Sequence, residues 1–477
     1  MNKKLFCHLL GRQALVMAVA LLIPLICALV QAEGYVMWLI LPPIVMGLAG
    51  WITYKAGRHH KERILIPEAA VYILFSWLLL AITGMLPYMF GGELSPVDAF
   101  LQATSDATNT GLILFSPLAP DYVYVWHSVL GWLGGANFLL LLVTMIPLAS
   151  GCFGLLLSFR RGIGFSPMLG QMKEVGKQVL GVYAGLTVLA ACLYFAAGLP
   201  GGSALEVAML TVSTTGGDLG HYIGGMPTAP LKIALFIVMW LTCGNIWRYW
   251  RTFRRRDWQD YYDNREIRVL IRIVLIFSGL LILHLLWTGQ YSLLDDVPFY
   301  IVSYVATTGI IMPDTPPWQD FELFLLILLA LMGGTIGSPT GGLKTLRFIA
   351  LIKLIGAEIK RTLHPHMLTG VIVGGQAVPA DTAGRILAFF FMYCCSIFAF
   401  VLMLALNDLS LSAAVEIAVS TFTGLGSAGG LCDTSAFNSL TTWGKCGASL
   451  FMIVGRVEIF TCLLIPEYLL RRKEKQW

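Results

Sequence analysis

Ten stretches of this chain are long and apolar enough to cross a bilayer, and that one feature excludes most ways it could fold. They lie near 13–32, 36–56, 66–88, 124–150, 178–199, 228–247, 268–288, 320–352, 382–407 and 443–467. A hydrocarbon core of about 30 Å takes roughly 20 apolar residues as a helix. Backbone amides cannot go unpaired in lipid, so these stretches are helices and not open strands. Charged residues make up 12% of the chain, about half the share in a soluble domain. The number of soluble domains suggested by length alone therefore does not apply. Ten cysteines are scattered through apolar runs without a CxxC spacing and read as small buried residues. Lys3, Lys4 and Arg12 precede the first run, and Val30-Gln31-Ala32 has the form of a signal-peptidase site. The run is long for a signal core and another follows at once, so a retained hairpin is expected. Cleavage would leave the topology downstream unchanged.

Four shorter apolar segments, near 95–107, 203–214, 293–306 and 411–422, fall between the long ones. Each begins close to an acid (Asp98, Glu206, Asp295 with Asp296, Glu416) and runs into a Gly/Thr/Ser cluster. An acid in the first turn complements the positive end of a helix. Basic clusters decide whether the short segments cross. These are Lys55 to Arg63, Arg160 to Lys177, Arg248 to Arg256, Lys344 to Arg361 and Arg471 to Lys475. All fall on the cytoplasmic side if the short segments re-enter from outside, as the positive-inside rule requires. The expected architecture is an all-α polytopic membrane protein. A two-helix hairpin (1–63) precedes four parallel repeats of span, re-entrant pore helix, glycine-rich turn and span. The repeats cover 64–162, 163–262, 263–365 and 366–477, and parallel repeats close naturally into a pseudo-four-fold ring around one pore. Both termini are expected in the cytoplasm.

The four turns carry the chemistry. They contain Thr108-Asn109-Thr110-Gly111, Thr214-Thr215-Gly216-Gly217, Thr307-Thr308-Gly309 and Thr423-Gly424-Leu425-Gly426. Four helix C-termini meeting on one axis aim partial negative charge at its centre. Glycine permits backbone that turns carbonyls inward, and a ring of carbonyls replaces a cation's hydration shell. Two further features interrupt spans. Gly333, Gly334, Gly337, Gly341 and Gly342, with Pro339 and Lys344, break the span of the third repeat. Broken backbone at membrane depth needs cover by protein or a water-filled cavity, so a plug or gate below the turns is expected. Arg456 sits inside the last span, two positions from Glu458, where an unpaired charge costs at least about 2.5–3.5 kcal/mol. The loop carbonyls are its expected partners, making Arg456 a latch. Of the acids on the outer side, Asp106 and Asp218 lie nearest the turns.

On these residues the chain resembles the Trk/Ktr superfamily of K⁺ transporters, in particular the membrane pore subunit with an extra N-terminal helix pair. Trp132-Leu133-Gly134-Gly135, Gly244-Asn245, the Gly333–Lys344 segment and Gly455-Arg456-Val457-Glu458 carry the likeness, in family order. The resemblance implies K⁺ as the transported ion, no organic cofactor, and a filter using one glycine per repeat. These would be Gly111, Gly216 or Gly217, Gly309 and Gly424, with the register open in the second and fourth repeats. It also implies a homodimer in the bacterial inner membrane, docked to a cytoplasmic ring of nucleotide-binding regulatory subunits, and no nucleic-acid partner. Passive flux and H⁺ or Na⁺ symport stay open. Asn109, Asp218 and Ser338-Pro339-Thr340 depart from the family pattern and bear on K⁺ over Na⁺ selectivity. Two other readings are a sensor of the same fold without transport and a membrane enzyme. For an enzyme, the eight histidines show no metal-type spacing.

Overall fold

The structure, a computed structural model, describes residues 3–31, 34, 36–58, 66–144, 165–225, 227–256, 259, 264–310, 318–364, 371–373, 376–378, 380–407, 409–426, 434–457 and 462. Glu458, Asp314, Asp433 and the Arg471–Lys475 cluster lie outside this set. Among the described residues, seven helices are long and apolar enough to span a membrane. The only strands among them are a two-residue pair, Ile372–Val373 with Gln376–Ala377. Among the described residues the protein is nearly all-helical, a multi-span membrane protein.

The N-terminal helices Lys3–Ala20 and Leu41–Ala56 pack along one another. Gly11 lies against the Tyr54 backbone, and Gly57 against His8 and the Lys4 carbonyl. A methyl group at either glycine would sit 2.4 Å from a backbone atom. Small residues let helices approach closely where apolar association alone gives no driving force in lipid. The first helix also reaches the span that follows the hairpin, through Gln13 Nε2 to the Ser76 carbonyl at 3.0 Å.

From Ile66 onward one order of elements recurs. A span is followed by a short helix, a turn and a second span. The spans that open the units are Ile66–Phe90, Phe165–Ala196, Arg265–Thr288 and Ala380–Ala405. The short helices are Pro96–Thr108, Gly201–Ser213, Val297–Val305 and Leu411–Thr423. The closing helices are Asp121–Thr144, Ala229–Thr242, Asp320–Met332 and Thr442–Val457.

Packing between units is cyclic. Each closing helix lies against the short helix of the next unit, and Thr442–Val457 returns to Pro96–Thr108. Two ion pairs repeat this relation near the N-terminal ends of the short helices. Lys232 Nζ meets Asp296 at 2.8 Å, and Lys445 Nζ meets Asp98 at 2.6 Å.

Two closing helices do not run straight through: the break within 320–352 is the one expected from its glycines, whereas 228–247 reads in the sequence as one unbroken span. Ala229–Thr242 stops at Cys243, and Ile246–Arg255 leaves it at 92°. Asn245 caps the new helix by accepting the Arg248 N–H at 3.1 Å. Asp320–Met332 stops at Gly333, whose φ of +64° ends the helix, and helix resumes only at Thr345–Leu363. The two breaks interlock. Thr335 N–H donates to the Cys243 carbonyl at 2.9 Å, Ile246 N–H to the Gly337 carbonyl at 3.2 Å, and Asn245 Nδ2 to the Ile336 carbonyl at 2.7 Å. Each break supplies the backbone partners the other lost, the condition for non-helical chain at membrane depth.

Candidate functional site

The four turns share one backbone pattern. A left-handed residue, one intervening residue and a left-handed glycine follow each short helix. The pairs are Asn109 (φ +59°) and Gly111 (+77°), Thr214 (+62°) and Gly216 (+57°), Thr307 (+49°) and Gly309 (+64°), and Gly424 (+74°) and Gly426 (+70°). The intervening N–H bonds back to a carbonyl five residues earlier. Thr110 reaches Ser105 at 2.8 Å, Thr215 reaches Leu210 at 2.9 Å, Thr308 reaches Ser303 at 3.0 Å and Leu425 reaches Ser420 at 2.9 Å. This closes the helix ends in the manner of a left-handed C-cap.

The shared pattern fixes the register. In the second turn Gly216, not Gly217, matches Gly111. In the fourth, Gly426 matches Gly111, while Gly424 stands where Asn109, Thr214 and Thr307 stand. The expectation for Gly424 is thus displaced by two residues, and Thr423 is the last residue of its helix. A signal for this was present in the sequence. Ser105, Ser303 and Ser420 each precede the matching glycine by six residues. Two of these hydroxyls accept from the far side of their turn, Ser105 Oγ from Leu112 N–H at 2.8 Å and Ser303 Oγ from Ile310 N–H at 2.9 Å.

Neighbouring turns touch through the glycines. A methyl group on Gly111 would lie 2.0 Å from the Thr215 carbonyl oxygen, on Gly216 1.5 Å from that of Thr308, and on Gly426 1.9 Å from that of Thr110. No side chain fits these contacts, whatever the backbone angle. Thr108, Asn109, Thr110, Thr214, Thr215, Thr307, Thr308 and Thr423 are all buried. The Trp132-Leu133-Gly134-Gly135 motif has its explanation here. Gly134 lies on the Ala107 carbonyl and Gly135 on Ser213, so the first closing helix passes directly behind two turns. Gly455 does the same for the Phe422 carbonyl, which holds the place of Ala107 in the fourth unit.

The broken segment Gly333–Lys344 lies against the same turns. Gly341 N–H donates to Thr307 Oγ1 at 2.8 Å, and Thr214 Oγ1 donates to the Pro339 carbonyl at 3.3 Å. Gly341 also packs on the Thr423 carbonyl, where a methyl group would come within 1.8 Å. Gly337 fits against the Asn245 amide and Gly334 against the Cys243 carbonyl. Inside the segment Lys344, itself left-handed (φ +72°), turns its Nζ to the Thr340 carbonyl, to Thr340 Oγ1 at 3.0 Å and to the Ser338 carbonyl at 3.4 Å. Gly342 (φ +74°) lets the chain return beside Gly333. From outside the segment, Glu266 accepts the Ile336 N–H at 2.8 Å.

Arg456 does not make the contact expected of it. Its Nη2 donates to Asn109 Oδ1 at 2.8 Å, and the guanidinium lies 4.1 Å from the centre of the Phe138 ring. The cation that meets the loop carbonyls is Lys344, whose backbone places it among them. Asn109 in turn donates to the Gly131 carbonyl at 2.6 Å and to Thr215 Oγ1 at 3.0 Å. Arg456 therefore bonds to the first turn and not to the loop. Asp218 is exposed and caps Gly220 at 2.8 Å, whereas Asp106 is wholly buried.

Comparison with known proteins agrees with this architecture. The TrkH family model, described as a cation transport protein, matches residues 292–473. The "Trk system potassium uptake protein TrkH" of Halomonas elongata is 28% identical, over 98% of both chains. The protein of the same name from Escherichia coli K12 is 24% identical, also over 98% of each. The crystal structure of the potassium transporter TrkH from Vibrio parahaemolyticus superposes with a TM-score of 0.88 over 98% of both chains, at 23% identity. The fold is therefore shared from end to end, and the membrane-enzyme reading is set aside. Along its C-terminal part the chain matches the TrkH family model, and over its whole length it is similar to proteins named for Trk potassium uptake.

Proposed function

We propose that this protein carries K⁺ across the plasma membrane through a filter built from the four turns. The single observation behind this reading is the fourfold recurrence of one left-handed turn, with Gly111, Gly216 and Gly426 each seated on a neighbouring turn's carbonyl oxygen. Carbonyls held at backbone spacing replace the hydration shell of a monovalent cation. The glycines assigned to the filter are Gly111, Gly216, Gly309 and Gly426, each following Thr110, Thr215, Thr308 or Leu425. The Gly333–Lys344 segment is the gate, held against the turns through Thr307, Thr214 and the Thr423 carbonyl. The family likeness supports K⁺ as cargo, because the relatives bear the name potassium uptake proteins.

The same reading extends to the assembly. The chain works as a homodimer in the bacterial inner membrane with both termini in the cytoplasm. A cytoplasmic nucleotide-binding ring regulates it, and the basic helix Ile246–Arg255, tied to the gate through Asn245, is a docking element suited to that ring. The deciding experiment is cation flux from purified protein in liposomes, comparing K⁺, Rb⁺, Na⁺ and Li⁺, with Gly309→Ser alongside. K⁺ and Rb⁺ flux well above Na⁺, with the preference lost in the variant, is the expected result. No flux of any ion, with the regulatory ring present, would replace transport by sensing.

A further inference from the structure

Behind the first turn lies a cluster built on a carboxylate and an amide that the matching short-helix positions of the other three units do not carry. Gln102, Asp106 and His127 are each 0% exposed. Asp106 Oδ1 accepts from Gln102 Nε2 at 2.8 Å and from His127 Nδ1 at 2.7 Å, and its Oδ2 accepts from the Tyr88 hydroxyl at 2.5 Å. Gln102 is engaged on both faces of its amide. Nε2 also donates to the Leu112 carbonyl at 2.8 Å, and Oε1 accepts the Leu114 N–H at 2.8 Å. The chain leaving the first turn is thus held by one side chain whose orientation a carboxylate enforces.

By the register of the turns, the places of Gln102 fall on Val207, Tyr300 and Ile417, and those of Asp106 on Thr211, Tyr304 and Thr421. None of these six carries a carboxylate or an amide. The device is local to the unit whose left-handed residue is Asn109, the residue that also bears Arg456. A buried carboxylate is costly unless donors surround it, and here three do. His127 turns Nδ1 to Asp106, while Nε2 meets no partner among the described residues. Asp106 stands on the short helix three residues before Asn109.

We propose that Asp106 is a positioning residue for cation selection. With His127 and Tyr88 it locks the Gln102 amide, and Gln102 sets where residues 112–114 stand as they leave the filter. The inference rests on the turns being that filter. It is tested with the full-length protein in liposomes, reading the K⁺/Na⁺ flux ratio beside thermal unfolding. Asp106→Asn and Gln102→Leu are each expected to lower the ratio by about tenfold, the effect of one lost hydrogen bond to a charged group. The double variant should do no worse than either single one, because both remove the same constraint. His127→Gln keeps a donor and should stay within about twofold of the parent, whereas His127→Leu should fall with Asp106→Asn. Folded Asp106→Asn protein with an unchanged ratio overturns the proposal, as does an additive double variant. If Asp106→Asn does not fold, equal ratios for the two His127 variants overturn it alone. Should Gly309→Ser also leave the ratio unchanged, the failure lies in the filter reading and not in the brace.

Discussion

Gly424 and Gly426 look interchangeable in a string of residues, yet the structure gives them different work. Gly424 is left-handed with room beside it, the Asn109 carbonyl oxygen being 3.5 Å from an added methyl group. Gly426 is left-handed with no room, the Thr110 carbonyl oxygen being 1.9 Å away. Gly424→Asn should therefore keep K⁺ selectivity, since asparagine already holds the same place at Asn109 and tolerates the left-handed region. Gly424→Ala should cost about 1–2 kcal/mol of stability while leaving selectivity in place. Gly426→Ala should abolish selectivity. Flux ratios and unfolding midpoints for the three variants check this, and equal effects at both glycines would return the register to Gly424. Composition and spacing made the presence of glycine turns legible. They did not show which glycine faces a carbonyl, because crowding comes from a residue more than 300 positions away. Arg456 shows the same limit. Its burial followed from hydropathy, but its partner depended on a side chain, Asn109, that only the fold brings near.

Helices are where the sequence speaks most directly, and where its silence has a clear cause. The seven long apolar helices follow from length and hydropathy, as do the short helices that stop at glycine turns. The bend at Cys243–Asn245 was less visible, since one glycine inside an apolar run is tolerated in membrane helices. It becomes a break because the interrupted segment of the next unit offers carbonyls and amides to it. Between elements, the Lys445–Asp98 pair joins the last closing helix to the first short helix, with both side chains less than a third exposed. Burial raises the Asp98 carboxyl, but hydrogen bonds from Lys445 and Ser95 and the Lys445 charge outweigh it, and the net shift is downward. A carboxylate held below its unfolded value contributes stability at neutral pH and loses it as pH falls through the folded value. Lys445→Met should therefore lower the unfolding temperature at neutral pH, and the gap from the parent should narrow in acid. A gap that persists at low pH would show that packing, not charge, carries the contact.

At the scale of the whole molecule, the distribution of basic residues is the property from which an orientation in the membrane is expected. Arg248, Arg251, Arg254 and Arg255 ride on the helix that follows the bend, while Ser95 and Asp98 begin the first short helix at the opposite end. A membrane-impermeant maleimide applied to intact spheroplasts should label Ser95→Cys and spare Arg254→Cys, above the label taken by the native cysteines. Labelling in the reverse sense would invert the orientation. The ring itself was legible as a count of similar units, and its closure is a matter of packing. The last closing helix has to find the first short helix, a pairing of residues about 350 apart.

That closure bears on how such a chain tolerates change. At Gly111, Gly216 and Gly426 adjacent turns are spaced by a hydrogen atom of glycine resting on a carbonyl oxygen, so the gauge there is cut from main chain, which is the same in every residue. The residue before each of those glycines is threonine in three units and leucine in the fourth. Swapping one side chain for another there alters the wall behind the gauge and leaves its calibre alone. Drift in sequence can then accumulate around the turns until it reaches Gly111, Gly216 or Gly426, where a single carbon atom is already too much.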